Sequence, residues 1–210
     1  MNKKEFKQII QKLSYTRHTW NVWQDWTQMY ALAIAQSTGF TEKREQQYMD
    51  IVGRYTHDEM QLFPQLSALT VEALELEFCD FLGSMFMELE LGSNAKGQFF
   101  TPYHLCKMMA QMTTSNDQYE DGKIVTVSDP CVGGGAMLIA LCDTLKEQGI
   151  NYQRQLRITA QDVDYTACCM CYIQLSLLGC QAKVVYGNTL TVECREQFIT
   201  PMAAFMGVSG

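Results

Sequence analysis

The sequence predicts an α/β protein, with a helical N-terminal region over residues 1–92 and part of a doubly wound domain with parallel strands over residues 93–210. Three observations carry that prediction. Apolar residues recur at helical spacing up to residue 92, with Pro64 as the one proline in that stretch. The run K-I-V-T-V-S-D-P-C-V-G-G-G-A-M-L, Lys123 to Leu138, sets a strand pattern, an acidic turn, clustered glycines and a helix start in immediate succession. Two later segments repeat the strand-to-turn pattern, ending at Asp162 and Asn188.

Composition bounds the answer. A chain of 210 residues with 47% hydrophobic content can bury a real core. The sequence has no run of eighteen apolar residues and no signal-peptide core at M-N-K-K-E-F-K, so a cytoplasmic protein without a membrane span is expected. Nine cysteines lack paired spacing, and Cys168, Cys169 and Cys171 crowd one helical turn, as reduced thiols packed as small hydrophobes do. His18, His57 and His104 are not spaced with cysteines as zinc ligands are, so no metal site is expected. A net charge of -7 argues against a whole surface that binds nucleic acid.

In chain order, Phe6, Ile9, Ile10 and Leu13 mark a first helix. Its cations Lys3, Lys4, Lys7 and Lys12, with Arg17 beyond, read as a solvated face ahead of a phosphate-binding one. Trp20, Trp23 and Trp26 lie three apart; a core stripe is the default and an aromatic platform for bases the alternative. Glu42 to Asp58 reads as a solvated helix with its connection, and Val71 to Leu91 as one amphipathic helix ended by Gly92-Ser93-Asn94. In G-Q-F-F-T-P, Thr101 is expected to cap a helix whose first turn holds Pro102. Gln98, Phe99 and Phe100 then stand beside a helix N-terminus, where they either attend an anion or staple the helix to the core.

Ile124, Val125 and Val127 suit a strand buried on both faces, which Asp129-Pro130 ends. Gly133, Gly134 and Gly135 allow a tight turn with bare N–H groups near a ligand, or a turn used for close packing alone. A helix follows over Ala136 to Lys146, then a second strand over Leu156 to Gln161. In doubly wound sheets an acid at the end of the second strand accepts from ribose hydroxyls, which points to Asp162, with Asp164 capping the helix from Tyr165 to Leu178. A third strand, Ala182 to Tyr186, leads to Gly187-Asn188-Thr189. Three loops carrying Gly133/Gly135, Asp162 and Asn188 therefore share one sheet edge.

These residues resemble the N6-adenine DNA methyltransferases, in particular the modification subunit of type I restriction-modification systems. The likeness spans roughly Gly92 to Leu190: G-Q-F-F-T-P before a helix, D-P-C-V-G-G-G-A-M-L as a variant of Asp-Pro-x-x-Gly-x-Gly, A-Q-D-V-D, Q-L-S-L-L-G and Y-G-N-T-L. The resemblance implies a partial Rossmann-like methyltransferase domain that binds S-adenosylmethionine. By that resemblance, Gln98, Phe99, Phe100, Thr101 and Pro102 line the methionine end. Asp129, Pro130, Cys131, Gly133 and Gly135 form the glycine loop, Asp162 with Val163 holds the ribose, and Asn188 stands beside the adenine where the family commonly has Asp. The cationic sulfonium suits the acidic Asp129, and the carboxylate of the tail suits backbone N–H groups.

The family's Asn/Asp-Pro-Pro-aromatic tetrad, which accepts from the target amino group and stacks on a flipped adenine, does not follow Leu190, and no catalytic residue is assigned. The expectation is a cofactor-binding chain that does not methylate alone and meets DNA with a partner chain. The alternatives are a non-catalytic sensor or remnant of restriction-modification or mobile elements and, at a distance, an unrelated nucleotide-binding domain. With three strands the first strand would be an open edge, to be covered by the N-terminal helices and the C-terminal tail, where Met202 to Val208 could form a short strand, by a second copy, or by other restriction-modification subunits.

Overall fold

The computed structural model describes residues 3–92, 101–114, 119 and 122–207. The N-terminal region is built from α1 (Lys3–Leu13), α2 (Thr19–Thr38), α3 (Glu42–Val52), α4 (His57–Met60), α5 (Phe63–Leu76) and α6 (Phe81–Glu88). Phe6, Ile9, Ile10 and Leu13 are all buried, as their spacing predicts. Trp23 and Trp26 are buried beside Phe6, with ring centroids 6.1 and 5.3 Å from it, so the tryptophan run serves the core. On the cationic first helix, Lys3 and Lys7 both pair with Glu88 of α6.

Val71 to Leu91 is two helices, where one was expected. The break comes at Glu77, and Asp80 opens α6 by accepting from the Gly83 N–H at 2.9 Å. A buried aspartate cap is a start signal that the apolar stripe running through it hides.

The remainder alternates strand and helix: α7 (Tyr103–Thr113), β1 (Val125–Asp129), α8 (Ala136–Glu147), α9 (Tyr152–Gln155), β2 (Leu156–Asp162), α10 (Tyr165–Leu177), β3 (Gln181–Asn188), β4 (Glu193–Ile199) and α11 (Pro201–Phe205). The α/β class holds. The sheet order is β1-β2-β3-β4, with the first two pairings parallel and β4 antiparallel to β3. Val125 pairs with Leu156 and Asp129 with Ala160, so β1 and β2 end near the same level.

β4 lies where no strand was expected, because its segment E-C-R-E-Q-F-I has one fully buried side chain, Phe198, and no regular apolar alternation. β1 also differs from expectation. Its residues alternate between half-buried and exposed, with Val125 and Val127 packed inward and Thr126 and Ser128 facing out, so it is packed on one face and not on two. The tail forms a helix over Pro201–Phe205 and not a strand: Pro201 presets the first turn, while the Thr200 hydroxyl accepts from Ala182 N–H at 2.9 Å.

Helix α10 ties the two parts together. Thr166 to Leu175 are buried without interruption, as expected of a helix enclosed on all sides. It packs on β2 and β3 on one side and on α2, α5 and α6 on the other. Cys168, Cys169 and Cys171 lie at its centre as buried free thiols, whose ionisation burial opposes.

Candidate functional site

The three loops predicted to converge do meet at the carboxyl ends of β1, β2 and β3, and hydrogen bonds join them. Asp162, the last residue of β2, accepts the Gly133 N–H at 2.8 Å through Oδ2 and the Asp164 N–H at 2.9 Å through Oδ1. The Gln161 carbonyl accepts the Val132 N–H at 2.9 Å, so β2 holds the glycine loop at two successive residues. Thr189, just beyond β3, donates its hydroxyl to the Pro130 carbonyl at 2.8 Å and fixes the third loop to the first.

Within the glycine loop, Gly133 has φ +55° and Gly135 φ +98°, both in the left-handed region where a side chain brings strain. Gly135 is also the N-cap of α8, and a Cβ there would come within 3.3 Å of Cys171 Sγ. The expectation of bare N–H groups needs correcting at Gly133 and Gly135. Cys131 N–H goes to Asp129 Oδ1 at 3.1 Å, Val132 and Gly133 to β2, and Gly135 to the Val132 carbonyl at 3.0 Å. The loop spends these donors on its own shape.

What the loops offer a ligand is therefore largely acidic and acceptor-rich. Asp129, Asp162 and Asp164 border the cleft, and no lysine or arginine occurs in 129–135, 162–164 or 187–190. Such a cleft favours a cation and hydroxyl donors and repels a pyrophosphate. An ionised carboxylate has about four acceptor sites, so Asp162 keeps capacity for ribose hydroxyls after its two internal bonds. Those features fit S-adenosylmethionine, whose sulfonium is cationic and whose ribose carries the donors.

The other predicted residues divide. Asn188 closes a local turn, its Oδ1 accepting Leu190 N–H at 3.0 Å, which leaves the amide N–H groups for a ligand. Cys131 and Val163 are exposed beside the loops. Thr101 and Pro102 are exposed at the start of α7, and the expected cap is not made: helix geometry begins at Tyr103, with Pro102 at the cap and no side-chain bond. Gln98, Phe99 and Phe100 lie outside the described residues. Asp164 does cap α10, accepting Ala167 N–H at 2.9 Å.

A groove of about 660 Å³ runs along β1, between Thr113 and Thr114 at the end of α7 and Met137, Leu138 and Leu141 of α8. It reaches Asp129 and Pro130 but not Asp162 or Asn188, so it adjoins the three-loop cleft without coinciding with it.

Sequence reasoning missed Gln174 and Asp80, which reach the glycine loop from behind. Gln174 donates to the Gly134 carbonyl at 2.8 Å and to Asp80 Oδ1 at 2.8 Å. The available signal was a glutamine late in a largely apolar helix, a residue that burial obliges to find partners.

A family model described as N-6 DNA methylase matches residues 80–204. No curated protein matches the chain.

Proposed function

Because the chain belongs to the N-6 DNA methylase family, we propose that it binds S-adenosylmethionine at the three-loop cleft and serves adenine-N6 methylation of DNA together with a partner chain. The observation that carries this reading is the Asp162 carboxylate, which grips the Gly133 N–H at 2.8 Å at the meeting point of two loops. Asp162 accepts from the ribose, Asp129 faces the sulfonium, and Asn188 stands beside the adenine. Gln98 to Pro102 attend the methionine end, with Pro130, Cys131, Gly133, Gly135 and Val163 lining the remainder.

The 210 residues hold prolines at 64, 102, 130 and 201, hence no Pro-Pro pair and no tetrad to receive a flipped adenine. The acceptor half then lies outside these 210 residues, in a cytoplasmic restriction-modification setting. Its place is beside β1, whose outer edge pairs with no strand among the described residues. DNA contact falls mainly to that partner, given the net charge of -7.

Calorimetric titration with S-adenosylmethionine, S-adenosylhomocysteine and NAD tests the binding claim. Both methionine-derived ligands are expected to bind, NAD to give no heat, and Asp162→Ala to weaken binding at least about tenfold. Absence of heat with both would end the proposal, and preference for NAD would replace it with a dinucleotide site. A second reading, a cofactor-binding module with no part in transfer, draws on the missing tetrad. Labelled-methyl assays with candidate partner subunits separate the two, since the module reading expects no transfer in any combination.

A further inference from the structure

The glycine loop has two sides. One faces the cleft, where Asp162 holds Gly133, and the other faces the interior, where the Gly134 carbonyl points at α10 and α6. The Gly134 carbonyl meets a buried side chain.

That side chain is Gln174, fully buried in the last turn of α10. Its Nε2 donates to Gly134 O and Asp80 Oδ1, both at 2.8 Å, and its Oε1 accepts the Leu82 N–H at 3.0 Å. The amide can sit only one way round, because the flipped orientation would set Oε1 against two oxygens and Nε2 against an N–H. Asp80, 5% exposed, completes the cluster by accepting the Gly83 N–H at 2.9 Å. A Cβ at Gly83 would overlap the Asp80 carboxyl, so the glycine makes room for it. The cluster joins positions 80, 134 and 174, far apart in sequence, and runs from the first turn of α6 to the back of the loop.

A buried carboxylate and amide are costly to retain for packing alone, since apolar groups of similar volume fill such space without desolvation. Burial raises the Asp80 carboxyl above its ordinary range, so its charge is disfavoured. The geometry points to Gln174 and Asp80 as positioning residues for the glycine loop: the Gln174 amide fixes the Gly134 carbonyl, and Asp80 fixes the amide. The cleft face of the loop is thereby set from the N-terminal helices. This inference rests on the cofactor reading for its ligand but not for its geometry.

The test uses the full chain with Gln174→Met, which keeps the volume and removes the polar group, and Asp80→Asn, which keeps an oxygen acceptor at the Oδ1 position. Amide hydrogen exchange without ligand and S-adenosylmethionine titration are read together. Gln174→Met is expected to speed exchange at 132–135 about tenfold relative to amides in α2 and to weaken cofactor binding by a similar factor. Asp80→Asn is expected to stay within about threefold of wild type in both. Unchanged loop exchange in Gln174→Met, or faster exchange spread evenly over the protein, would overturn the inference. Equal loss in both variants would overturn the role given to the Asp80 oxygen. Should the wild type fail to bind the cofactor, the Proposed function falls, while the exchange comparison still decides whether the pair anchors the loop.

Discussion

The two outer strands of the sheet are treated in opposite ways. At one side, β4 turns back antiparallel along β3 and its backbone is claimed by other elements: Arg44 of α3 donates to the Gln197 carbonyl at 3.0 Å, and the Tyr172 hydroxyl to Ile199 at 3.1 Å. Arg44 lies 3.9 Å from Glu196 and its guanidinium 5.4 Å from the Phe198 ring. At the other side, among the described residues, β1 pairs only with β2 and no hydrogen bond reaches the outer backbone of Val125 to Ser128. Among the described residues the N-terminal helices and the tail pack elsewhere than the expected cover of that edge, α2 on α10, and α11 on β3 and α2. One edge is finished and the other is left able to accept a strand.

Three substitutions can break or sharpen that contrast. Phe198→Ala removes the buried anchor of β4, packed 5.0 Å from the Tyr172 ring, and is expected to cost about 3–5 kcal/mol in denaturant unfolding. A cost under about 1 kcal/mol would mean that the closed edge is ornamental. Thr200→Val deletes a buried hydroxyl that donates to the Cys180 carbonyl at 2.6 Å and accepts from Ala182 N–H. Urea unfolding should show a loss of about 1–3 kcal/mol, because the Ala182 N–H is left without a partner. At the opposite edge, Thr126→Lys adds charge to an exposed position of β1, and the midpoint should move by less than about 0.5 kcal/mol. A loss comparable to that at Thr200 would reveal a cover over β1. If the strand is a docking edge, the same variant should weaken capture of the partner subunit while leaving cofactor affinity unchanged.

Much of this architecture was legible because its signals are local. The first helix, the tryptophan core, α8, α10 and the β1, β2 and β3 ends follow from apolar periodicity and turn residues within each segment. Asp164 as a cap and Asp162 at the second strand's end were read from position alone. The miss at Val71 to Leu91 has a physical cause. Leu74, Phe81, Leu82 and Met85 keep helical spacing across a break made by a cap whose partner, Gly83, carries no side-chain signal. β4 escaped for a related reason: an edge strand held through Arg44, Tyr172 and a single buried ring needs no alternating pattern of its own.

The sequence by itself determined which loops bear the chemistry, because glycines, acids and their distance from strand ends are written along the chain. Only the tertiary structure decided how those loops are held. The Asp162 bond to Gly133, the Thr189 bond to Pro130 and the Gln174 bond to Gly134 each join residues at least 29 positions apart. Such bonds depend on how α10 seats between the sheet and the N-terminal helices, and no local pattern encodes that seating. The opening expectation of a loop with N–H groups free for a ligand gave way in part for the same reason: β2, 29 positions on, took the Val132 and Gly133 donors, while local turns took those of Cys131 and Gly135.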